Sequence, residues 1–138
     1  MGHGVGLDIQ ISSDYVSDYF AWPTQWTVTD DDLVTGHHLL TLFTPFIDTL
    51  IQNGRAVKTI KNLLYHLSIL GFEIVRRLND DDECHRALEP KALLLQYLDG
   101  EYGPLVHHWD SNDPIEEAYQ KSFDATCRKL YKFIFATK

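Results

Sequence analysis

The chain has 138 residues, 44% of them hydrophobic and 23% charged, and a net charge of −8. This length favours one domain that buries about two-thirds of the surface of the unfolded chain. No apolar run approaches the ~20 residues of a membrane span and the first twenty residues hold no Lys or Arg, so we expect a cytoplasmic protein rather than a membrane or secreted one.

The first 28 residues predict an irregular, aromatic-rich arm. Glycines at positions 2, 4 and 6 favour a frayed, partly disordered start. Pro23 interrupts a continuous helix, and the residue before it favours an extended backbone. Five aromatic side chains surround this proline: Tyr15, Tyr19, Phe20, Trp22 and Trp26. We expect the arm to pack across the helices, with an exposed binding loop as the alternative, and Trp22 and Trp26 are candidate interaction residues.

Residues 29–53 predict the first long helix. Thr29 followed by Asp32 matches a capping box in which Asp replaces the usual Glu or Gln. Apolar side chains recur at helical spacing: Leu39, Leu40, Leu42, Phe43, Phe46, Ile47, Leu50 and Ile51. Pro45 lies among them, so either the helix kinks or a second helix starts with Pro45 in its first turn. Gly54 then ends the segment, and the short turn predicts antiparallel packing against the next helix.

Residues 55–79 predict the central helix, around which the other elements are organised. Its inner face is defined by apolar residues three and four positions apart: Val57, Ile60, Leu63, Leu64, Leu67, Leu70, Ile74, Val75 and Leu78. Ile69 and Phe72 lie on the other side, so the middle of this helix is apolar almost all round. We expect either the N-terminal arm or a second subunit to cover these two side chains, which makes them candidate interaction residues.

Two shorter patterns complete the domain. Pro90 suits the first position of a helix that carries apolar side chains and ends near Gly100. Asp113 and Pro114 predict the N-cap and first residue of the last helix, which extends to about Ala136. The acidic run at positions 80–83 is interpreted as a solvated helix end.

These elements predict an all-α fold in which residues 29–138 form a single domain, an orthogonal bundle of four to five helices. No alternating apolar pattern is long enough to indicate a strand. We expect one shared core among the three longest helices: Phe46, Leu50, Leu63, Leu67, Ile74, Phe123 and Leu130.

Net positive charge is confined to two of the predicted helices. Residues 55–77 contain five basic residues and one acid, a net charge of +4, and residues 121–138 have the same balance. The remaining positions therefore carry −16. Such basic stripes either pair with neighbouring acids or form a surface that meets phosphates, and the sequence leaves both open.

No catalytic signature is present. HExxH, CxxC, GxSxG and a glycine-rich phosphate loop are all absent, so we expect neither enzymatic activity nor a cofactor. Cys84 and Cys127 are expected to be free thiols in a reducing compartment, with Cys127 facing the core. A metal site would require five loop residues to converge: Cys84, His85, His107, His108 and Asp110. Scattered surface side chains are the interpretation we adopt for them.

One family resemblance rests on the central segment. Gly54-Arg-Ala-Val-Lys-Thr-Ile60, followed by Leu63, Leu67 and Leu70-Gly71, resembles the second-helix signature of the SAM-like core-binding domain of tyrosine recombinases (phage integrases). Residues 43–50 and 131–134 suit the first and last helices of that domain, so the resemblance covers about residues 30–136. Ala56 stands where the family places an N-cap serine.

The resemblance implies a SAM-like bundle that forms half of a clamp around double-stranded DNA. The DNA-facing positions that it implies lie on the central helix: Lys58, Lys61, Tyr65, Arg76 and Arg77. The catalytic His-x-x-Arg motif of recombinases does not occur in this chain. The implied function is therefore a stand-alone DNA-binding or accessory module.

Two non-catalytic hypotheses follow, and neither calls for a small-molecule substrate. The first is the DNA-binding module. The second is a helical protein–protein interaction protein, including a homodimer, that uses the apolar middle of the central helix and the aromatic arm. A small enzyme or metal protein is a third alternative, for which the sequence carries no motif.

Overall fold

The computed structural model describes residues 19–80, 82–107 and 113–136. Five α-helices account for most of them: α1 (Trp22–Trp26), α2 (Asp30–Gln52), α3 (Val57–Leu78), α4 (Pro90–Leu95) and α5 (Glu117–Tyr131). Short 3₁₀ segments at Tyr19–Ala21 and Glu83–Ala87 and a π-helical turn at Lys132–Ala136 complete the order. The predicted all-α bundle is confirmed. None of the described helices combines the length and hydropathy needed to cross a bilayer.

Helices α2 and α3 form the antiparallel hairpin that the short turn at Gly54 predicts. The side-chain amide of Asn79, at the end of α3, donates to Asp32 Oδ2 at the start of α2 over 2.9 Å. The turn itself places Gly54 at a φ of 77°, a conformation that glycine adopts without steric cost. The start of α2 and the end of α3 therefore lie side by side. The apolar faces of both helices pack against the remaining helices.

The core lies where the helical period of α2, α3 and α5 predicts it. All seven side chains of the predicted shared core are buried: Phe46, Leu50, Leu63, Leu67, Ile74, Phe123 and Leu130. Val57, which the apolar period assigns to the inner face, is instead 53% exposed, because it is the first residue of α3 and projects beyond the bundle.

Pro45 does not divide α2. The helix runs through it to Gln52, so the alternative in which a second helix starts at this proline is wrong. Proline removes one backbone donor, and Thr41 is the residue whose carbonyl loses that partner. Both Pro45 and Thr41 are exposed, so this carbonyl faces solvent and the helix continues.

The described part of the N-terminal arm is more regular than its sequence predicts. Residues 22–26 form α1, with Pro23 in the first turn, where its missing N–H breaks no helical hydrogen bond. Trp22 and Trp26 are 2% and 4% exposed and belong to the core. The irregular arm is thus corrected to a short helix, and residues 1–18, the rest of that prediction, lie outside the described residues.

Two glycines let α1 pack closely on the hairpin. A side-chain carbon at Gly36 would lie 2.7 Å from Cβ of Pro23, and one at Gly71 would overlap the indole of Trp26. Each long helix of the hairpin therefore contributes one position without a side chain where α1 meets it. The two tryptophans are held by this packing, which is why they are unavailable as surface contacts.

We expect Gly71→Ala to destabilise the protein by about 1–3 kcal/mol, because the new methyl group overlaps the Trp26 ring. In open space the same change in a helix would stabilise by up to ~1 kcal/mol, so the sign of the effect is informative. Urea unfolding measures it. In a Trp26→Ala background the penalty should shrink, and an undiminished penalty there would contradict the contact.

The C-terminal half differs from prediction at one helix end and one helix start. The predicted helix start at Pro90 is confirmed, with the Glu89 carboxylate accepting two backbone N–H bonds there, but α4 ends at Leu95 rather than near Gly100. The last helix begins at Glu117 rather than at Pro114. Residues 114 and 115 are extended instead, because Pro114 forms an antiparallel bridge with His107 and Ile115 N donates to Val106 O over 2.9 Å. This pairing competes successfully with the helix-start signal.

Candidate functional site

One side of α3 carries most of the residues that the sequence singles out. Spacings of three and four place six side chains along that side: Lys58, Lys61, Tyr65, Ile69, Phe72 and Arg76. The basic residues stand toward the two ends and the apolar ones in the middle. The structure thus divides this stripe into a basic N-terminal patch and an apolar centre.

The apolar centre forms one wall of a groove. Ile69 and Phe72 are partly buried, and Tyr65 is 58% exposed at the rim. The opposite wall comes from the paired segments before α5 and from its first turn: Val106, His107, Ile115, Glu116 and Tyr119. Together these residues enclose an open cavity of about 320 Å³. The described part of the N-terminal arm does not line it, so segments 106–107 and 115–119 provide the partial cover that the sequence predicts from the arm.

Antiparallel packing of α3 and α5 sets the shape of this groove. The rings of Tyr65 and Tyr119 meet edge to face with centroids 6.2 Å apart. Deeper between the two helices, His66 Nδ1 and Thr126 Oγ1 lie 2.6 Å apart in a buried hydrogen bond. These contacts hold the two helices in register and leave Ile69 and Phe72 without a facing helix.

The groove floor contains a buried carboxylate. Glu73 is 1% exposed, and its Oε1 lies 3.4 Å from Arg76 Nη1 and 3.6 Å from Arg77 Nε. Glu73 Oε2 accepts the backbone N–H of His107 over 3.2 Å. This carboxylate therefore fixes the α3 wall to the bridge segment on the opposite wall.

Arg76 and Arg77 are consequently not the free DNA-facing cations that the resemblance implies. Both share Glu73, and Arg77 Nη2 also donates to the carbonyl of Leu105 over 2.9 Å. Loss of these partners would leave a buried carboxylate without a counter-charge and would strongly destabilise the folded protein. The two guanidinium groups are therefore held in place. The DNA-facing role that the resemblance implies for these two residues stays a prediction.

Tyr119 contributes a polar atom to the groove. Its hydroxyl is buried, and Tyr65 is the polar neighbour that it faces. Burial, and secondarily the neighbouring Tyr65, raise the pKa of Tyr119, so the hydroxyl keeps its proton and stays a donor.

The basic patch at the start of α3 has a different character. Lys58 and Lys61 are exposed, and neither forms an ion pair among the described residues. Lys129, near the end of α5, and Lys132, in the π-helical turn that follows it, are also exposed. These four lysines are exposed, whereas Arg76 and Arg77 form ion pairs with Glu73.

The structure therefore brings together Tyr65, Ile69 and Phe72 from the sequence-predicted candidates and separates them from the buried Trp22 and Trp26. Sequence reasoning did not assign Glu73, His107 or Tyr119 to a groove. The helical period of the last helix assigns Tyr119 to its buried face and gives no sign of a groove. Glu73 had one available signal, since it is the single acid within the basic stretch at 55–77.

No group of three potential metal ligands occurs among the described residues. Two of the five residues that such a site would require, His108 and Asp110, lie outside that part of the chain. Cys84 is exposed and Cys127 buried, and both are free thiols. Burial raises the pKa of the Cys127 thiol, which keeps it protonated.

We expect His66 to make stability depend on pH. Burial lowers the pKa of His66 below its ordinary value of 6.5. Below pH 6.5 the unfolded chain binds a proton at this imidazole more readily than the folded protein does. The contribution of neutral His66 to the free energy of unfolding is therefore complete above pH 6.5, and it declines as the pH falls, by at most ~1.4 kcal/mol per pH unit. Urea unfolding at pH 7.5 and 5.5 should show a smaller decline in His66→Gln than in wild type. The exposed His38→Gln is the control, and equal declines in all three proteins would contradict the assignment.

Comparison with known protein families, with curated proteins and with solved structures gave no match. The resemblance to the recombinase core-binding domain therefore stays a prediction, and the function rests on the groove and the basic patch themselves.

Proposed function

We propose that this protein is a non-catalytic helical interaction module whose contact site is the groove between α3 and α5. The observation that carries this proposal is the half-buried pair Ile69 and Phe72 in an open cavity. Apolar side chains in the middle of a central helix are normally buried in the core of the domain. Ile69 and Phe72 instead line an open groove at the surface. Concave apolar surfaces of this kind mark binding sites.

The composition of the groove favours a protein partner. Aromatic side chains that stand in a pocket dominate the binding energy of many interfaces, and Tyr65, Phe72 and Tyr119 fit that pattern. The volume of about 320 Å³ is at the low end for small-molecule pockets, which span ~300–1,000 Å³. It suits one or two anchoring side chains from a partner.

The test is selection from a random peptide library displayed on phage, with the full chain as the target. Peptides that bind wild type should bind Phe72→Asp at least about tenfold more weakly, because a carboxylate would enter the apolar wall. Tyr65→Asp, at an exposed position, should weaken them without loss of fold. The matched control is Val34→Asp, which changes an exposed apolar residue on α2. Selected peptides that bind all four proteins equally, or a failure to select any, would contradict the proposal.

A second candidate function is DNA binding through the basic patch. It is favoured by one specific observation, the exposure of Lys58 and Lys61 one turn apart at the start of α3. Lysines of this kind contact phosphates without reading sequence, and Tyr65 offers an exposed ring at the edge of the patch. The acidic remainder of the chain would keep its other faces away from the duplex.

A gel-shift series across salt concentrations tests the second candidate. Exchange of Lys58 and Lys61 for Glu should weaken binding to every duplex sequence and flatten the salt dependence by about one unit of log–log slope per lost contact. Lys91→Glu, on α4, is the control. Wild-type protein without affinity for duplex DNA at low salt would end this candidate.

A further inference from the structure

We infer that this chain associates end to end with a second copy of itself. The exposed turn between α2 and α3 of one copy enters a cleft at the opposite end of the α2–α3 hairpin of the next. The inference goes beyond the proposed interaction function and uses neither wall of the α3–α5 groove. It follows from the shape, the charge and the exposed apolar side chains of the two ends of the hairpin.

A cleft of about 760 Å³ lies beside the first turns of α2, and we call it the acidic cleft. One wall is the exposed side of α2 at Asp31 and Val34, and the other is the segment 83–90, which leads into α4. Arg86 Nη1 donates to Oδ1 of the buried Asp32 over 2.6 Å, and this bond fixes the second wall against α2. The acidic cleft is therefore a fixed concave surface at the end of the hairpin where α2 begins.

Three carboxylates line the acidic cleft: Asp31, Glu83 and Glu89. All three residues are exposed, and the Glu83 side chain stays 73% exposed although Arg86 Nε lies 3.5 Å from its Oε2. Glu89 accepts only neutral backbone N–H groups at the start of α4, so it keeps its charge. Arg86 is the one Lys or Arg in the described lining, and its closest anion is the buried Asp32. The lining therefore presents excess negative charge to solvent.

Apolar side chains lie between these charges on both walls. Val34 is 57% exposed on α2, and Leu88 is 36% exposed on the facing segment. Charged side chains alone are normal at a surface, whereas exposed apolar side chains in a concave site favour contact with another protein. The acidic cleft thus requires a partner surface with an apolar centre and cations around it.

The turn at the other end of the hairpin has that character, and we call it the basic tip. Residues 52–61 contain three cations and no acid: Arg55, Lys58 and Lys61. All three are exposed, and Val57 lies among them, 53% exposed because it projects beyond the bundle. The 22 residues of α3 span about 33 Å and separate the basic tip from the acidic cleft.

The two surfaces complement each other in shape and in charge. The basic tip is convex and the acidic cleft concave, so Val57 of one copy meets Val34 and Leu88 of the next, and the surrounding cations approach the three carboxylates. Because the two surfaces differ, the contact is heterologous and leaves one tip and one cleft open. Further copies then add in the same way.

The net charge of −8 does not prevent this contact. At physiological ionic strength the Debye length is about 8 Å, so charges farther apart than this are largely screened. The acidic end of the incoming copy lies ~30 Å from its own basic tip. The charges that meet in the contact are therefore those of the tip and the cleft.

Sedimentation velocity of the full chain across a concentration series, at physiological salt, tests the inference. The sedimentation coefficient of wild type should rise with concentration. Asp31→Lys with Glu83→Lys in the cleft should weaken association at least about tenfold, as should Lys58→Glu with Lys61→Glu in the tip. Each cleft exchange adds two positive charges, so the net charge goes from −8 to −4, which by itself would favour association. Loss of association in this variant is therefore specific to the cleft.

An equal mixture of the two double variants should associate again. The basic tip of the cleft variant fits the acidic cleft of the tip variant, although each protein alone is monomeric. Leu88→Gln, which leaves the charge unchanged, should also weaken association of the wild-type chain. Two matched controls carry the same charge changes elsewhere and should associate like wild type: Glu101→Lys with Glu117→Lys, and Lys129→Glu with Lys132→Glu.

Several results would overturn the inference without touching the proposed function. They are wild-type protein that stays monomeric at every concentration, controls that lose association as fully as the tip and cleft variants, and a mixture that stays monomeric. Association that Phe72→Asp abolishes while the tip and cleft variants retain it would place the second copy in the α3–α5 groove and would also refute the end-to-end contact.

Discussion

Asp32→Ala is expected to destabilise the protein by about 3–5 kcal/mol, because it removes a buried anion that joins the start of α2 to two other segments. The Asp32 carboxylate accepts hydrogen bonds from the backbone N–H groups of Val28 and Thr29, from Asn79 and, over 2.6 Å, from Arg86. Its removal leaves a largely buried guanidinium without its closest anion and two helix-start donors unpaired. Urea unfolding measures the loss, with the exposed Asp30→Ala as the control.

The same carboxylate should determine part of the acid sensitivity. Burial alone would raise the pKa of Asp32, but hydrogen bonds from Arg86, Thr29 and Asn79 outweigh it and lower the pKa below its ordinary value of 3.8. The stability that Asp32 contributes is therefore complete above that value and is lost as the pH falls through the folded pKa. An Asp32→Ala protein whose stability falls from pH 5 to pH 3 as steeply as wild type would contradict this assignment.

Leu67→Ala is expected to cost about 2–5 kcal/mol. The Leu67 side chain is fully buried at the centre of α3, and its truncation removes apolar contacts and leaves a cavity that the surrounding helices fill only in part. Leu95→Ala, at a position 45% exposed at the end of α4, should cost far less. A loss below about half a kilocalorie at Leu67 would mean that the inner face of α3 is wrongly assigned.

Helical periodicity predicts much of this fold because burial of an apolar face is what stabilises a helix in a bundle. The inner face of α3, the capping box at Thr29 and Asp32 and the start of α4 at Pro90 are all local patterns, and the structure confirms them. Val57 departs from the pattern because the end of a helix projects past its neighbours.

The sequence misleads where a tertiary contact competes with a local signal. Pro23 disfavours a continuous helix, yet it occupies the first turn of α1, and Gly36 and Gly71 leave space that only a packed partner reveals. Asp113 and Pro114 form a strong helix start, yet pairing with Val106 and His107 keeps that segment extended.

The groove could be predicted only in part. The helical wheel places Ile69 and Phe72 away from the core, and this much follows from the sequence. The other wall joins a loop to the first turn of α5, so its position depends on the Glu73–His107 hydrogen bond between residues 34 positions apart. The same carboxylate forms ion pairs with Arg76 and Arg77, the two residues that follow it by one turn.

Isoleucine methyl NMR of the full chain, titrated with a Phe72-dependent peptide, tests the interaction site most directly. Ile69 and Ile115 lie on opposite walls of the groove, whereas Ile47 and Ile60 are 1% exposed in the core and serve as internal controls. We expect the Ile69 and Ile115 methyl groups to shift and to show intermolecular NOEs to the peptide, with the two core residues unchanged. NOEs to other surfaces, with Ile69 and Ile115 unaffected, would contradict the assignment of the groove as the binding site.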